Sequence, residues 1–260
     1  GVDTNHEDLT HAIWLNQDEI ENNGIDDDRN GYIDDRKGWN FVNSSPEMTV
    51  ANSHGTEVAG IIVAKKDNMV GIAGIAPNIK IMGLTVLGKD ASGKVTGNTA
   101  NIKKAITYAI DNGANIINLS LGGQGSTMDY DSGYDEIFQY AYDRNVLVIS
   151  AAGNGDIIGG GTRGQNLDVN PSSPVCNDSI RNLVIGIGAT NEKNQRAIFS
   201  NYGKCVDIWA PGVEILTTAR PIDGDYVFSD GTSESAPIVS GIAALVKSKH
   251  PDWNVEEIKL

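Results

Sequence analysis

Three short, mostly apolar runs constrain this chain more than any other feature: Asn115–Leu121, Val146–Ala152 and Leu183–Ala189. Apolar residues at successive positions need burial on both faces of a strand, as in the interior of a parallel sheet covered by helices. Helical periodicity lies between the runs. Thr99–Asn112 places Ile102, Ala105, Ile106 and Ala109 on one stripe, with Gly113 as its stop, and Tyr134–Asn145 also reads as helical. His54–Lys65 reads as a buried helix of small residues, Ile79–Val86 as a strand, and residues 232–249 as a helix of small and aliphatic residues. Asn254, with Glu257 three residues on, is a capping-box signature for one more helix. Strands alternating with helices predict right-handed βαβ units, hence an α/β fold: a three-layer sandwich with a mostly parallel central sheet. In such a sheet the functional residues lie beyond the carboxyl ends of the strands.

The 260 residues fit one core, and 40% apolar with 21% charged residues describes a globular chain. No run of 18 apolar residues offers a membrane span. Twenty basic against 34 acidic residues give a net charge of −14, which repels phosphate backbones and argues against a nucleic-acid partner. The acid is concentrated at Asp26-Asp27-Asp28, Asp34-Asp35, and Asp129, Asp131 and Asp135, a distribution that suggests cations and Ca²⁺ in particular. Two cysteines and four histidines make a zinc site of close Cys and His ligands an unexpected feature. The chain opens at Gly1 without a signal-peptide pattern and stops inside a helical pattern, so both ends read as cuts in something longer.

Asp26-x-Asp28-x-Asn30-Gly31-Tyr32-x-Asp34-Asp35 carries oxygen ligands at positions 1, 3, 5 and 9 of an EF-hand-type loop, with the turn glycine at position 6. Tyr32 would offer its carbonyl. Position 12 is Lys37, so Asp34 or Asp35 is expected to close the shell; a solvated acidic loop is the other reading. Three further segments carry candidate chemistry. Ser233, in Gly231-Thr232-Ser233-Glu234-Ser235-Ala236-Pro237, enters a helix with Pro237 near its start, where a missing N–H is harmless; it is a plain helix cap or a nucleophile in need of a base. His54 heads the small-residue helix, as a structural histidine or as that base. Asn154 follows a strand and Ala151-Ala152-Gly153, as a turn residue or as an amide aimed at a developing oxyanion. Gly159-Gly160-Gly161 lacks the Gly-Lys-Ser/Thr ending of a phosphate-binding loop and reads as a loop near a substrate pocket.

Taken in order, these segments resemble the subtilisin-like serine peptidases, the subtilase family. The matching motifs are His-Gly-Thr-x-Val-Ala-Gly at 54–60, Gly-Ile-Ala-Pro at 74–77, Asn-Leu-Ser-Leu-Gly-Gly at 118–123 and Ala-Ala-Gly-Asn at 151–154. Phe-Ser-Asn-Tyr-Gly at 199–203, Ala-Pro-Gly at 210–212 and Gly-Thr-Ser-x-Ser-Ala-Pro at 231–237 extend the resemblance over essentially the whole chain. It implies a subtilisin-like fold and a secreted serine endopeptidase acting on extended polypeptides, with a possible propeptide as a further partner. Ser233 would be the nucleophile, His54 the general base and then acid, and Asn154 the oxyanion-hole side chain. Ser120, Leu121 and Gly122 would form the edge that pairs with the peptide. Ala152 and Gly153 would line the pocket for the side chain before the scissile bond.

The resemblance also implies a second calcium site at Asp8 and Asn68, and a disulfide between Cys176 and Cys205 of the kind some extracellular subtilases carry, two buried thiols being the alternative. Gly1-Val-Asp-Thr-Asn-His-Glu-Asp-Leu9 matches the segment that follows the family's aspartate motif, so the catalytic Asp is expected two residues before Gly1, not at Asp3. The chain then reads as a single peptidase domain, 1–260, lacking its first core strand and that Asp segment, ending inside a C-terminal helix and near-inactive by itself. Glu57 and Glu234 depart from the family pattern, either as solvated variation or as a close carboxylate pair. The acidic stretch 129–135 reads as a solvated loop or as a preference for basic peptide residues. The alternative function is a catalytically inactive subtilase-like module that binds peptide or calcium.

Overall fold

The computed structural model describes residues 1–122, 133–158, 161–177 and 182–259. The chain forms two compact units: Gly1–Ala114 with Thr217–Val227, and Asn115–Leu216 with Phe228–Leu260.

The first unit is built around helix α1 (His54–Val63). Its buried side, Ala59, Ile62 and Val63, packs with Leu9 and Ala12 and against Val2, Val58, Ile79 and Ile81. Gly60 permits close approach of another segment, because a β-carbon there would run into the Thr218 side chain. Thr218 and Thr217 donate their hydroxyls to the carbonyls of Thr56 and Glu57, at 2.7 and 2.6 Å, strapping residues 217–218 along the helix. A small hairpin of β1 (Leu87–Lys89) and β2 (Val95–Gly97) precedes helix α2 (Thr99–Asp111), whose N-cap Asn98 accepts from the Asn101 N–H. Tyr108 of α2 meets Tyr32 and Phe41 edge to face, joining the acidic loop to this helix. Among the described residues, the segment expected as a strand at 79–86 makes only single bridges, Ile13 with Ile81 and Asn40 with Thr85. Neither neighbour runs alongside it long enough to form a ladder.

The second unit contains the parallel sheet. Strands β3 (Ile116–Leu119), β4 (Leu147–Ala151), β7 (Val184–Thr190) and β8 (Ile208–Pro211) lie in the order β3-β4-β7-β8, all parallel. Between them come helix α3 (Gly133–Asp143), which packs on β4, and the hairpin of β5 (Asp156–Ile158) with β6 (Gly161–Arg163). Every residue of β4 and β7 is buried, as their mostly apolar character requires. The sequence reading did not identify β8: Ile208-Trp209-Ala210-Pro211 buries only Ala210 and carries a proline, which an edge strand tolerates. Strands β9 (Ile215–Thr218) and β10 (Tyr226–Ser229) pair ahead of helix α4 (Thr232–Lys249). Helix α4 packs on all four parallel strands, with Ala236, Val239 and Ala243 set against Leu147, Ile149, Ile185 and Ile187. Helix α5 (Val255–Lys259) starts at the capping box read from sequence: the Asn254 N–H donates to Glu257 Oε2 at 2.7 Å, and the Glu257 N–H to Asn254 Oδ1 at 3.1 Å. Cys176 and Cys205 form a disulfide that packs with Ala152, Leu167 and Val175.

Candidate active site

The sheet register sets the site in the second unit. Leu119 pairs with Ser150, so Ser120–Gly122 and Ala152–Asn154 leave the sheet side by side at its carboxyl edge. Gly153 turns the chain there with φ +91°, a left-handed conformation that side chains resist. Its N–H donates to Thr232 Oγ1 at 3.0 Å. The Asn154 carboxamide is fixed by the same threonine: Oδ1 accepts from both the N–H and the hydroxyl of Thr232, each at 2.9 Å. With its oxygen so engaged, the carboxamide presents Nδ2 as its donor end. A β-carbon at Gly231 would stand 3.1 Å from that nitrogen and 2.5 Å from a Glu234 carboxylate oxygen, so glycine keeps this space open.

Ser233 is the second residue of α4, where free N–H groups and the helix dipole favour negative charge. Its hydroxyl is 3.4 Å from the Ser120 carbonyl oxygen. Pro237, expected at the harmless start of the helix, lies inside it and removes the N–H that would bond the Ser233 carbonyl. The Ser120 hydroxyl replaces that donor at 2.8 Å. It is itself held by Asn118 Nδ2 at 2.9 Å, and Asn118 Oδ1 accepts from the Ser240 hydroxyl at 2.9 Å. Glu234 is buried and accepts from the Ser229 hydroxyl at 3.0 Å.

His54 opens α1 in the first unit. Burial holds its imidazole below the ordinary histidine value, which favours the neutral form able to accept a proton. Ser53, at the N-cap position, does not cap its own helix. Its hydroxyl donates to Asp223 and accepts from the Arg220 N–H at 3.0 Å, while Arg220 Nε bonds Asp223 Oδ2 at 2.7 Å. The Asp223 carboxyl is held below the usual aspartate value by the hydrogen bond from Arg220 and then by that from Ser53.

The acidic loop folds around its carboxylates. Asp26 accepts from the Asn30 and Gly31 N–H groups at 3.0 and 2.9 Å, and Gly31 takes φ +95°. Carboxylate oxygens of Asp26, Asp28 and Glu19 lie within 4.8 Å of one another. Glu19 is almost fully buried and accepts from the Asp27, Asp28 and Asp34 N–H groups. Asp34 accepts from the N–H groups of Asn23 and Gly24. Asp35, fully buried, accepts from Tyr108 OH at 2.6 Å and from the side chains of Asn16 and Asn30, each at 2.8 Å. Burial and then this bond to Asp35 raise the Tyr108 phenol above its ordinary value. Asn30 Oδ1 accepts from the Tyr32 N–H at 2.8 Å. Elsewhere in the first unit, fully buried Asp8 accepts from Asn68 Nδ2 at 2.5 Å, the Ile72 N–H at 3.3 Å and Tyr226 OH at 2.9 Å.

The structure thus gathers Ser233, Asn154, Ser120, Leu121, Gly122, Ala152 and Gly153 at one sheet edge, Asp26, Asp28, Asn30, Tyr32, Asp34 and Asp35 in one loop, and Asp8 with Asn68. Gly123, the acidic residues Asp129 and Asp131, and Gly159 and Gly160 lie outside the described residues; Asp135 sits in the first turn of α3 and accepts from Asn177 Nδ2 at 2.9 Å. The sequence reading missed Thr232, whose place beside the candidate nucleophile was its only signal. It also missed Glu19, which stands outside the loop spacing and is brought in by the fold.

A serine on a helix start beside a strand-end asparagine amide, above a parallel sheet, is the arrangement of a class of serine hydrolases. The subtilase family model matches residues 1–260, and the chain belongs to that family. It is 38% identical over 214 residues to the thermophilic serine proteinase of Bacillus sp. (strain AK1), covering 82% of this chain and 47% of that protein. It is 37% identical over 227 residues to alkaline elastase YaB of Bacillus sp. (strain YaB), covering 87% and 53%, and 34% identical to subtilisin BL of Lederbergia lenta, covering 87% and 75%. The chain therefore spans about half the length of the first two relatives. Among solved structures, a cold adapted subtilisin-like serine proteinase shares 27% identity with a TM-score of 0.72, covering 99% of this chain and 76% of that one.

Proposed function

We propose that this chain is the peptidase domain of a secreted, calcium-binding serine endopeptidase that hydrolyses extended polypeptides through an acyl-enzyme. The observation that carries the reading is the Asn154 carboxamide, fixed by Thr232 at the helix start that bears Ser233. Ser233 Oγ attacks the scissile carbonyl carbon while His54 takes its proton. Asn154 Nδ2 and the Ser233 N–H bind the oxygen that becomes negative. Collapse breaks the C–N bond, His54 returns the proton to the leaving amine, and water repeats the sequence to release the acid. Ser120, Leu121 and Gly122 pair with the peptide backbone, and Ala152 and Gly153 line the pocket for the preceding side chain.

The carboxylate that orients His54 is supplied by a residue preceding Gly1 in a longer chain. Support comes from Gly55: a β-carbon there would run into the Gly1 backbone, so Gly1 itself lies against the first turn of α1, beside His54. A propeptide is a further partner in this reading. Export is supported by the disulfide, which persists in oxidising compartments.

Calcium fits the acidic loop. Three hard carboxylates at close range, one of them almost fully buried, repel one another unless a cation lies between them, and oxygen ligands suit Ca²⁺. Glu19, Asp26 and Asp28, with Asn30 and the Tyr32 carbonyl, would hold the ion, and Asp34 and Asp35 would brace the loop. Asp8 and Asn68 would hold a second ion. Bound calcium would tie down the folded loops; it takes no part in the acyl transfer.

The test is labelling with a serine-directed organophosphorus fluoridate followed by peptide mass spectrometry. An adduct on Ser233, abolished in Ser233→Ala, is expected. An unmodified Ser233 in a folded chain that includes the upstream aspartate would overturn the peptidase reading.

A further inference from the structure

The sheet edge that bears Asn154 is held by a residue to which the proposed reaction assigns no part. Asn201 lies in Phe199-Ser200-Asn201-Tyr202-Gly203 and is 6% exposed. Its Nδ2 donates to the Ala152 carbonyl at 2.9 Å, and its Oδ1 accepts from the Gln165 N–H at 2.8 Å. Its own N–H donates to the Gly153 carbonyl at 3.0 Å. One carboxamide thus closes the loop that leaves the sheet after Ala152, forms the β5–β6 hairpin and returns at Gln165. Gly153 is pinned on both sides, its N–H by Thr232 and its carbonyl by Asn201. Space for the clamp depends on that glycine, since a β-carbon at 153 would stand 2.7 Å from Asn201 Nδ2. Asn201 is itself fixed, because the Ser200 hydroxyl donates to its carbonyl at 3.0 Å and accepts from the Ala189 N–H of β7 at 3.0 Å.

We infer that Asn201 is a positioning residue for the oxyanion amide and for the substrate pocket, fixing where the turn Ala152-Gly153-Asn154 stands above the sheet. Only a side chain with both a donor and an acceptor at this reach joins the two ends of the loop. Leucine of similar shape would leave a buried carbonyl and an N–H without their partner, and aspartate would keep the bond from Gln165 while setting a carboxylate oxygen against the Ala152 carbonyl. Either change lets the turn drift, and displacements near 1 Å are enough to cost roughly 10²-fold in rate.

The inference rests on the reading of Asn154 as oxyanion donor, so the test has two arms. In the active full chain, Asn201→Leu and Asn201→Asp are assayed well below their melting temperatures on peptide substrates that differ only in the residue before the scissile bond. The expected result is a fall in kcat of roughly 10–10²-fold with a narrowed ratio between large and small side chains. A lowered melting temperature with unchanged kcat and unchanged ratio would show a purely structural residue and overturn the inference. In the second arm, NMR follows the Asn154 side-chain amide, which needs no activity. Shifted or broadened Asn154 resonances in either variant support the clamp, and unchanged ones refute it. If the wild-type chain proves inactive while the Asn154 resonances respond, the peptidase reading fails and the positioning role stands.

Discussion

At the scale of single residues, the site is an exercise in using up hydrogen-bonding capacity so that one group is left pointing the right way. Thr232 consumes the acceptor end of Asn154, and Ser120 takes the carbonyl that Pro237 strands. The first leads to a clear expectation. Asn154→Leu keeps the side-chain volume but removes the donor, so kcat should fall by the 10²–10³ lost when such a donor is removed from a subtilisin, roughly 3–4 kcal/mol, while KM changes little. A comparable rise in KM with kcat preserved would place Asn154 in ground-state binding. The second concerns stability. Ser120→Ala leaves the Ser233 carbonyl without its donor next to a proline that cannot supply one, and should cost about 1–3 kcal/mol in denaturant unfolding. If Ser120→Ala unfolds at the wild-type midpoint, the carbonyl has found another partner. Both features were half legible in the sequence: Gly231–Pro237 gave the residues, but only the helix register showed that Pro237 stands opposite the Ser233 carbonyl rather than at an indifferent helix start.

At the scale of elements, helix α1 illustrates how a helix end can be secured from outside. Its N-cap serine is turned away to Arg220 and Asp223, and Thr217 and Thr218 bond its carbonyls. Hydrogen bonds from Arg220, then Ser53, lower the Asp223 pKa, so the carboxylate favours the folded state. Because the folded value lies below the unfolded one, this contribution is present at pH above the ordinary aspartate value, about 4, and is lost as the pH falls through the depressed value. Wild type and Asp223→Asn should therefore differ in melting temperature at neutral pH and converge as acid protonates the wild-type carboxyl. A constant difference across the whole range would show that the charge of Asp223 has no part in holding the helix. The strands show the opposite balance between sequence and structure. β4 and β7 were readable because burial on both faces leaves an apolar run, whereas edge strand β8 carries exposed Trp209 and Pro211 and leaves no such trace.

At the scale of the molecule, the net negative charge and the acidic loop belong together. A net charge of −14 disfavours the compact state by self-repulsion, and a divalent cation bound in the Asp26–Asp35 loop, as proposed, would offset part of it. Calcium at about one hundred times its dissociation constant would stabilise the fold by roughly 2.7 kcal/mol through mass action. Melting temperature should rise on calcium addition and fall with chelator, and Glu19→Gln should reduce this shift as strongly as Asp28→Ala. A full calcium shift in Glu19→Gln would remove Glu19 from the ligand set. The loop's link to α2, through Asp35 and Tyr108, predicts that the loss of calcium is felt there first, as faster hydrogen exchange in α2 than in α4.

The sequence by itself determined what depends on neighbours along the chain: the alternation of apolar strands and helices, the capping box at Asn254, the Asp-x-Asp-x-Asn-Gly turn, and the ordered motifs that carry the family resemblance. These signals survive because local periodicity and turn chemistry need no third dimension. Tertiary structure alone decided which groups satisfy one another across long separations. Glu19 meets Asp26 and Asp28, Ser120 serves the Ser233 carbonyl, and Asn201 joins Ala152 to Gln165. A hydrogen bond between distant segments fixes distance and angle but leaves no spacing in the chain from which to read it.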